Sequence, residues 1–173
     1  GLRVRGAISC AVGCPYQGDV SPDEVERVVK AYRALGVDQV SMADTIGVGT
    51  PRQVQAALER VLRHYPLHEV CGHYHDTYGQ ALANVLASLQ MGVRVFDTSV
   101  AGLGGCPFAV GATGNVATED VAYLLRGMDI DTGVDFDALV DAGQFISEKL
   151  GRANGSRAAR GWLAQRARRQ AQA

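Results

Sequence analysis

The run Gln39-Val-Ser-Met-Ala-Asp-Thr-Ile-Gly-Val-Gly-Thr-Pro-Arg-Gln-Val-Gln-Ala-Ala-Leu-Glu-Arg-Val-Leu-Arg-His-Tyr65 decides the fold. Gln39–Met42 reads as a short apolar strand, with Asp44 and Thr45 at its carboxyl end. Thr50-Pro51-Arg52-Gln53 then opens a helix: a capping residue, proline at the first helical position, and a side chain able to reach back to the cap. Val54, Leu58, Val61, Leu62 and Tyr65 recur at helical spacing on one face, and Pro66 follows the end. The stretch is one strand followed by one amphipathic helix.

The same unit recurs on both sides. Arg5–Cys10, Glu69–His73 and Arg94–Ser99 read as strands bounded by Gly, Asp and Pro. Ser21-Pro22-Asp23-Glu24 is a capping box, after which Val25, Val28, Val29, Tyr32 and Leu35 share a face that Gly36 closes. A third helix uses Leu82, Val85, Leu86 and Leu89 and stops at Gly92. Four strands, each followed by a helix, predict successive βαβ crossovers and an α/β fold with a parallel sheet. Beyond the fourth strand the sequence predicts a short helix near Glu119–Arg126 and a longer one near Asp135–Leu150.

Composition sets outer bounds. The 173 residues suit one domain, and 47% hydrophobic content with 17 basic against 18 acidic side chains suits a globular protein. No apolar run approaches the roughly 20 residues needed to cross a bilayer, so no membrane association is expected. Of the four cysteines, Cys10 and Cys71 lie in strand-like runs, which favours free thiols in a reducing compartment. Cys10 and Cys14 are spaced too loosely for a Cys-x-x-Cys motif and read as structural. The stretch from Gly151 to Ala173 holds six arginines and no acid. It reads as a basic, flexible tail after a 1–150 catalytic part; without interleaved aromatics it gives no sign of a nucleic-acid partner.

In parallel α/β sheets, ligands bind at the carboxyl ends of the strands, and the polar clusters of this chain gather there. Asp44 and Thr45 follow the second strand, and His73, His75, Asp76 and Thr77 follow the third. The fourth leads into Ser99-Val-Ala-Gly-Leu-Gly-Gly-Cys-Pro107 and on to Asn115. Two histidines at i and i+2 point the same way from a strand, which suits metal ligation. Imidazole with amide oxygen fits a divalent ion such as Mg²⁺ or Mn²⁺ better than a closed tetrahedral zinc site. His64 and His68, flanking a turn, read as solvated. The glycines around Cys106 match no Walker or Rossmann fingerprint and read as hinges of a closing loop, with Cys106 an exposed acid or base.

At these residues the chain resembles the 3-hydroxy-3-methylglutaryl-CoA lyases, metal-dependent TIM-barrel enzymes. The likeness runs through Cys10-Ala-Val-Gly-Cys-Pro-Tyr16, Asp44-Thr-Ile-Gly-Val-Gly-Thr-Pro51, His73-Tyr-His-Asp-Thr-Tyr-Gly-Gln-Ala-Leu-Ala-Asn84, the Cys106 loop, Gly114-Asn115 and Ala117-Thr-Glu-Asp120. It implies a (β/α)8 barrel family, of which four C-terminal βα units are present as a half barrel with added C-terminal helices. It also implies cleavage of 3-hydroxy-3-methylglutaryl-CoA to acetyl-CoA and acetoacetate, as in leucine degradation and ketone-body metabolism. His73, His75 and Asn115 would be metal ligands, Cys106 the active-site thiol, and Cys106 or His73 the donor that protonates the enolate. Asp44, Thr45, Asp76 and Thr77 would orient those groups or touch substrate.

The resemblance further implies an acyl-CoA substrate, a homodimer at full length, and a cytoplasmic (bacterial) or mitochondrial-matrix (eukaryotic) setting. The family's first strand carries an Arg-Asp pair and its second a glutamate, and this sequence holds no counterpart of either. Together with a start at Gly1, that suggests a C-terminal half, inactive alone. Two alternatives stand beside the lyase: a non-catalytic half barrel that needs a partner half, and a related aldolase or acyl-CoA condensing synthase.

Overall fold

The computed structural model describes residues 1–105 and 114–172. They divide into two compact units, the first holding Gly1–Asp97 and the second Thr98–Gly104 with residues 114–172. Cys106 lies outside the described residues.

The first unit is built on β1 (Arg5–Ile8), β2 (Gly13–Cys14), β3 (Gly18–Asp19), α1 (Pro22–Ala34), β4 (Gln39–Asp44), α2 (Pro51–Leu62), β5 (Val70–Tyr74), α3 (Ala81–Gln90) and β6 (Val95–Asp97). Four strands form one parallel sheet in the order β1-β4-β5-β6, and β2 and β3 make a small antiparallel hairpin. The sequential parallel order with a helix after each strand is the α/β architecture expected, with the sheet of a partial barrel. Even-numbered positions Val40, Met42, Val70 and Tyr74 are all buried. Tyr74 reaches α3, where its hydroxyl meets Ser88 Oγ at 2.7 Å. Gly6 is required on β1 because the Tyr32 ring of α1 fills the place of a side chain, and Tyr32 Oη donates to Ala7 O at 2.9 Å.

The helix starts follow the sequence. Ser21 Oγ accepts from the Glu24 N–H, and Glu24 returns the bond to the Ser21 N–H at 2.8 Å. At α2, Gln53 Oε1 accepts from the Thr50 N–H and hydroxyl.

Several expectations need correction. The first strand stops at Ile8, because Cys10 adopts φ 56° and turns the chain out of the sheet. The fourth stops at Asp97. Leu35 caps α1 with its side chain 79% exposed, so the buried stripe is Val25 and Val29. On α3 the leucines are only half-buried, and Ala81, Asn84, Val85, Ala87 and Ser88 take the core positions. His64 is not a solvated group: its Nε2 meets Glu26 Oε1 at 2.9 Å and ties the end of α2 to α1. His68 is exposed, as expected.

The second unit contains α4 (Thr118–Gly127), α5 (Phe136–Lys149) and α6 (Arg157–Gln170). Helix α6 replaces the flexible tail read from the sequence. Ser156 caps it, accepting from the Ala159 N–H at 2.9 Å and donating to Asp120 Oδ1 at 2.6 Å. Ala159 is fully buried, and Trp162 meets Phe136 edge-on with ring centroids 5.1 Å apart. Arg166 pairs with both Asp137 and Asp141 of α5. The arginines thus flank an apolar stripe of Ala159, Trp162 and Leu163 that packs on Phe136, Val140 and Ala122.

Candidate active site

Strand β5 carries His73, and His75 follows directly after its last residue, Tyr74. Their rings lie on one side, with centroids 5.5 Å apart and planes tilted by 37°. His75 is buried and its backbone N–H donates to Asp44 O at 3.3 Å. His73 is in register with Asp97 of β6, and its Nδ1 faces Asp97 Oδ2 at 3.4 Å. Asp97 in turn accepts from Ser41 Oγ at 3.1 Å and from Arg5 Nη2 at 3.0 Å. Burial by itself would raise the Asp97 carboxyl, but the Arg5 charge and the bonds from Ser41, His73 and Cys71 outweigh it and hold it below the ordinary range. A carboxylate on Nδ1 favours a proton there and leaves Nε2 as the lone-pair atom, the arrangement that orients a ligating imidazole.

The strand-end pattern does not single out Asp97, because Arg94–Ser99 reads as one strand with Asp97 in its interior, whereas the strand ends at Asp97. The signal was the two-residue alternation. Ser41 on β4 and Cys71, His73 and His75 along β5 share one face, to which Arg5 and Asp97 add their side chains. Cys71 is buried among them, and burial first of all pushes its thiol up to about 11, so it behaves as a neutral side chain.

Of the residues expected to support the histidines, Asp44, Thr45 and Asp76 accept from backbone N–H groups of nearby loops and helix starts. Asp44 is fully buried and accepts from the N–H groups of Val48 at 3.1 Å and Gly49 at 2.8 Å. Burial raises its carboxyl despite those bonds and a third from Gly47. Thr45 Oγ1 accepts from the Cys10 N–H, and Asp76 Oδ1 accepts from the Ala81 N–H at the start of α3. Thr77 stacks against Gly47, whose φ of 68° and lack of a side chain permit the approach.

In the second unit Asn115 has a different character. Its Nδ2 donates to Leu103 O at 3.1 Å, while its Oδ1 is a buried oxygen with no hydrogen-bond partner among the described residues. Asn84 Oδ1 shares that lack, but Asn84 is sealed at 0% exposure whereas Asn115 is half-buried. Ala101 is held by Glu119, a fully buried carboxylate whose two oxygens both accept from the Ala101 N–H at 3.0 Å. Burial raises the Glu119 pKa above the ordinary carboxylate value. Ala101 has φ 56°, so Glu119 holds a strained residue just ahead of the glycine-rich loop.

Among the described residues no three His, Cys, Asp or Glu side chains group as a metal cage. In the first unit the available donors are the two imidazoles, a type of ligand that suits a divalent cation keeping open positions for water or substrate. No helix among the described residues is long and apolar enough to cross a membrane.

Comparison with known proteins points the same way. The chain is 59% identical over 163 residues to the Pseudomonas aeruginosa 3-hydroxy-3-isohexenylglutaryl-CoA/hydroxy-methylglutaryl-CoA lyase, covering 94% of this chain and 54% of that protein. It is 52% identical over 158 residues to the human mitochondrial hydroxymethylglutaryl-CoA lyase, covering 91% of this chain and 49% of that one. The crystal structure of the Pseudomonas aeruginosa hydroxymethylglutaryl-CoA lyase superposes with a TM-score of 0.89 at 59% identity over 94% of this chain and 54% of that chain. The chain thus spans about half the length of these relatives. The HMGL-like family model matches residues 3–146, and with relatives this close over nearly its whole length the chain belongs to the HMGL-like family.

Proposed function

We propose that this chain carries the metal-binding part of a carbon–carbon lyase that cleaves 3-hydroxy-3-methylglutaryl-CoA to acetyl-CoA and acetoacetate. The observation that carries the reading is the oriented pair of imidazoles: His73 and His75 on one side of β5, with His73 Nδ1 held by Asp97. His73 and His75 would ligate through nitrogen and Asn115 through Oδ1, which has no hydrogen-bond partner among the described residues. A bound Mg²⁺ or Mn²⁺ supplies Lewis acidity that lowers the pKa of the substrate's tertiary hydroxyl and fixes its orientation.

The chain's own residues supply the rest. The Asp97 carboxylate keeps the proton of His73 on Nδ1 and restrains the ring. Asp44, through Val48 and Gly49, and Asp76, through Ala81, hold the loops that border the histidines. Cleavage of the carbon–carbon bond leaves an enolate of acetyl-CoA that needs a proton, and Cys106 or His73 would deliver it. The Gly-Leu-Gly-Gly-Cys-Pro run favours the lyase over an aldolase or a condensing synthase. The 173-residue chain is expected to bind metal without turning over, because the thioester-polarising arginine and the carboxylate ligand of the family pattern have no counterpart in this sequence.

Titration with Mn²⁺, followed by its paramagnetic effect on water proton relaxation, tests the ligand assignment. The wild-type chain should show saturable enhancement. His73→Ala combined with His75→Ala should remove it. An unchanged binding curve in that double variant would refute the assignment.

A further inference from the structure

The turn after β1 brings together two thiols that the sequence spacing leaves unrelated. Past Ile8 the chain runs through Cys10, whose φ of 56° is costly for a residue with a side chain. Two bonds fasten it there: the Cys10 N–H donates to Thr45 Oγ1 at 2.9 Å, and the Ala11 N–H donates to Ala43 O at 2.9 Å. Four residues on, Cys14 sits in β2 opposite Gly18, whose φ of 82° closes the hairpin. The hairpin directs the N–H groups of Tyr16 and Gln17 to the Cys14 sulfur, and the Cys10 side chain hydrogen-bonds the same atom.

The bonds from Tyr16 and Gln17, and then from Cys10, lower the Cys14 pKa against the opposing effect of burial. Both thiols are half-buried and line an open cleft of about 250 Å³ together with Gln17, Val20 and Arg27. Cys71 is the contrast, buried in the sheet with no such donors from the backbone N–H groups.

We propose that Cys10 and Cys14 are a reversible dithiol–disulfide pair, a modification site for small-molecule disulfides of the glutathione class. The Cys14 thiolate attacks one sulfur of the oxidised small molecule, forming a mixed disulfide and expelling one thiolate. The Cys10 thiol gives up its proton to solvent and attacks the Cys14 sulfur, forming the Cys10–Cys14 bond and expelling the second thiolate. The two cysteine sulfurs are oxidised by two electrons, the small disulfide is reduced to two thiols, and an excess of the reduced thiol reverses both steps. Cys14 is the entry point because the thiolate is the nucleophile, and the backbone donors stabilise it where the cleft admits the reagent. Cys10 is the resolving thiol because it already touches that sulfur.

The test exposes the 173-residue chain to oxidised glutathione, quenches with an alkylating reagent and maps the tryptic peptide Gly6–Arg27, which holds both residues. The wild-type peptide should lose two alkylatable thiols together and two hydrogens in mass, and recover both on addition of reduced glutathione. Cys10→Ser should stop at one glutathionyl group on Cys14. Cys14→Ser should slow glutathionylation of this peptide at least about tenfold, since it removes the thiol proposed as the entry point. Circular dichroism of each variant identifies any that misfold, and for those the wild-type mapping alone decides. A persistent glutathionyl group on wild-type Cys14, a bond from Cys14 to Cys71 or Cys106, or a pair that stays fully alkylatable would each overturn the proposal.

Discussion

Replacing Asp97 by Asn separates positioning of His73 from simple packing. The side chain keeps its size but loses its charge and one of two acceptor oxygens. Asp97 now accepts from Arg5 at 3.0 Å, Ser41 at 3.1 Å and His73 at 3.4 Å. The Arg5 side chain is 42% exposed, so that ion pair contributes no more than about 1 kcal/mol. The Ser41 bond to a charged acceptor is better shielded, and the whole substitution should cost about 1–2 kcal/mol of folding stability. Loss of an oriented carboxylate behind a metal-ligating histidine typically weakens metal affinity by about 10–100-fold, and the long 3.4 Å contact puts the expectation near the lower end. The assay pairs Mn²⁺ titration with urea denaturation on the same preparations. Ser41→Ala is the control: it removes one bond to Asp97, leaves the His73 contact, and should lower stability with little change in affinity. If Asp97→Asn loses stability while its Mn²⁺ affinity stays at the wild-type value, Asp97 packs the sheet and does not position His73.

Three further outcomes follow from the second unit. Glu119 has a raised pKa in the folded chain, so the folded state holds its proton more tightly and stability should fall as pH rises from the ordinary carboxylate range through that raised value; Glu119→Gln should flatten this fall in denaturant titrations across pH. Gly104→Ala places a side chain at φ 91° and 2.6 Å from Asn115 Nδ2, which should cost more than about 1 kcal/mol by thermal unfolding and displace the Asn115 amide, lowering Mn²⁺ affinity as well. Ser156→Ala removes the cap of α6 and the bond to Asp120, with an expected loss of about 1–2 kcal/mol in urea denaturation; an unchanged midpoint would restore the reading of residues 151–173 as a loose tail.

Local signals were legible where the physics is local. Capping residues marked the starts of α1 and α2, and the strands fell within a few residues of their observed ends. Errors arose where a residue's fate depends on distant partners. The arginines of α6 suggested solvent, yet Ala159, Trp162, Leu163 and Arg166 recur at helical spacing and face α5. Leucines on α3 looked like the core stripe, but the sheet takes the smaller Ala81, Val85 and Ser88, and Ser88 is bonded to Tyr74. Glu119 reads as an ordinary acid in a first helical turn. Its burial depends on Gly143 of α5 leaving room beside its carboxylate, and no local pattern shows that.

The polar residues at the carboxyl ends of the strands therefore do two kinds of work, and hydrogen-bond accounting tells them apart. Asp44, Thr45, Asp76 and Glu119 each accept from the N–H of a loop or helix start, and Asn84 Nδ2 joins them by donating to Gly49 O at 2.8 Å. A buried N–H without a partner costs about 1–3 kcal/mol, so these side chains are committed to holding the backbone. A carboxylate whose oxygens already accept from backbone N–H groups, as those of Asp44 accept from Val48 and Gly49, has fewer lone pairs to offer a cation. Among the described residues, His73 is restrained through one nitrogen, Nδ1, and Asn115 through its amide nitrogen. Each keeps a lone-pair atom out of the scaffold's own bonds, which is what a ligand to a divalent cation needs. Sequence position put Asp44, Thr45, His73, Asp76 and Asn115 on one candidate list, without Glu119 or Asn84; the direction of their hydrogen bonds separates residues that hold loops from those that keep a lone-pair atom outside such bonds.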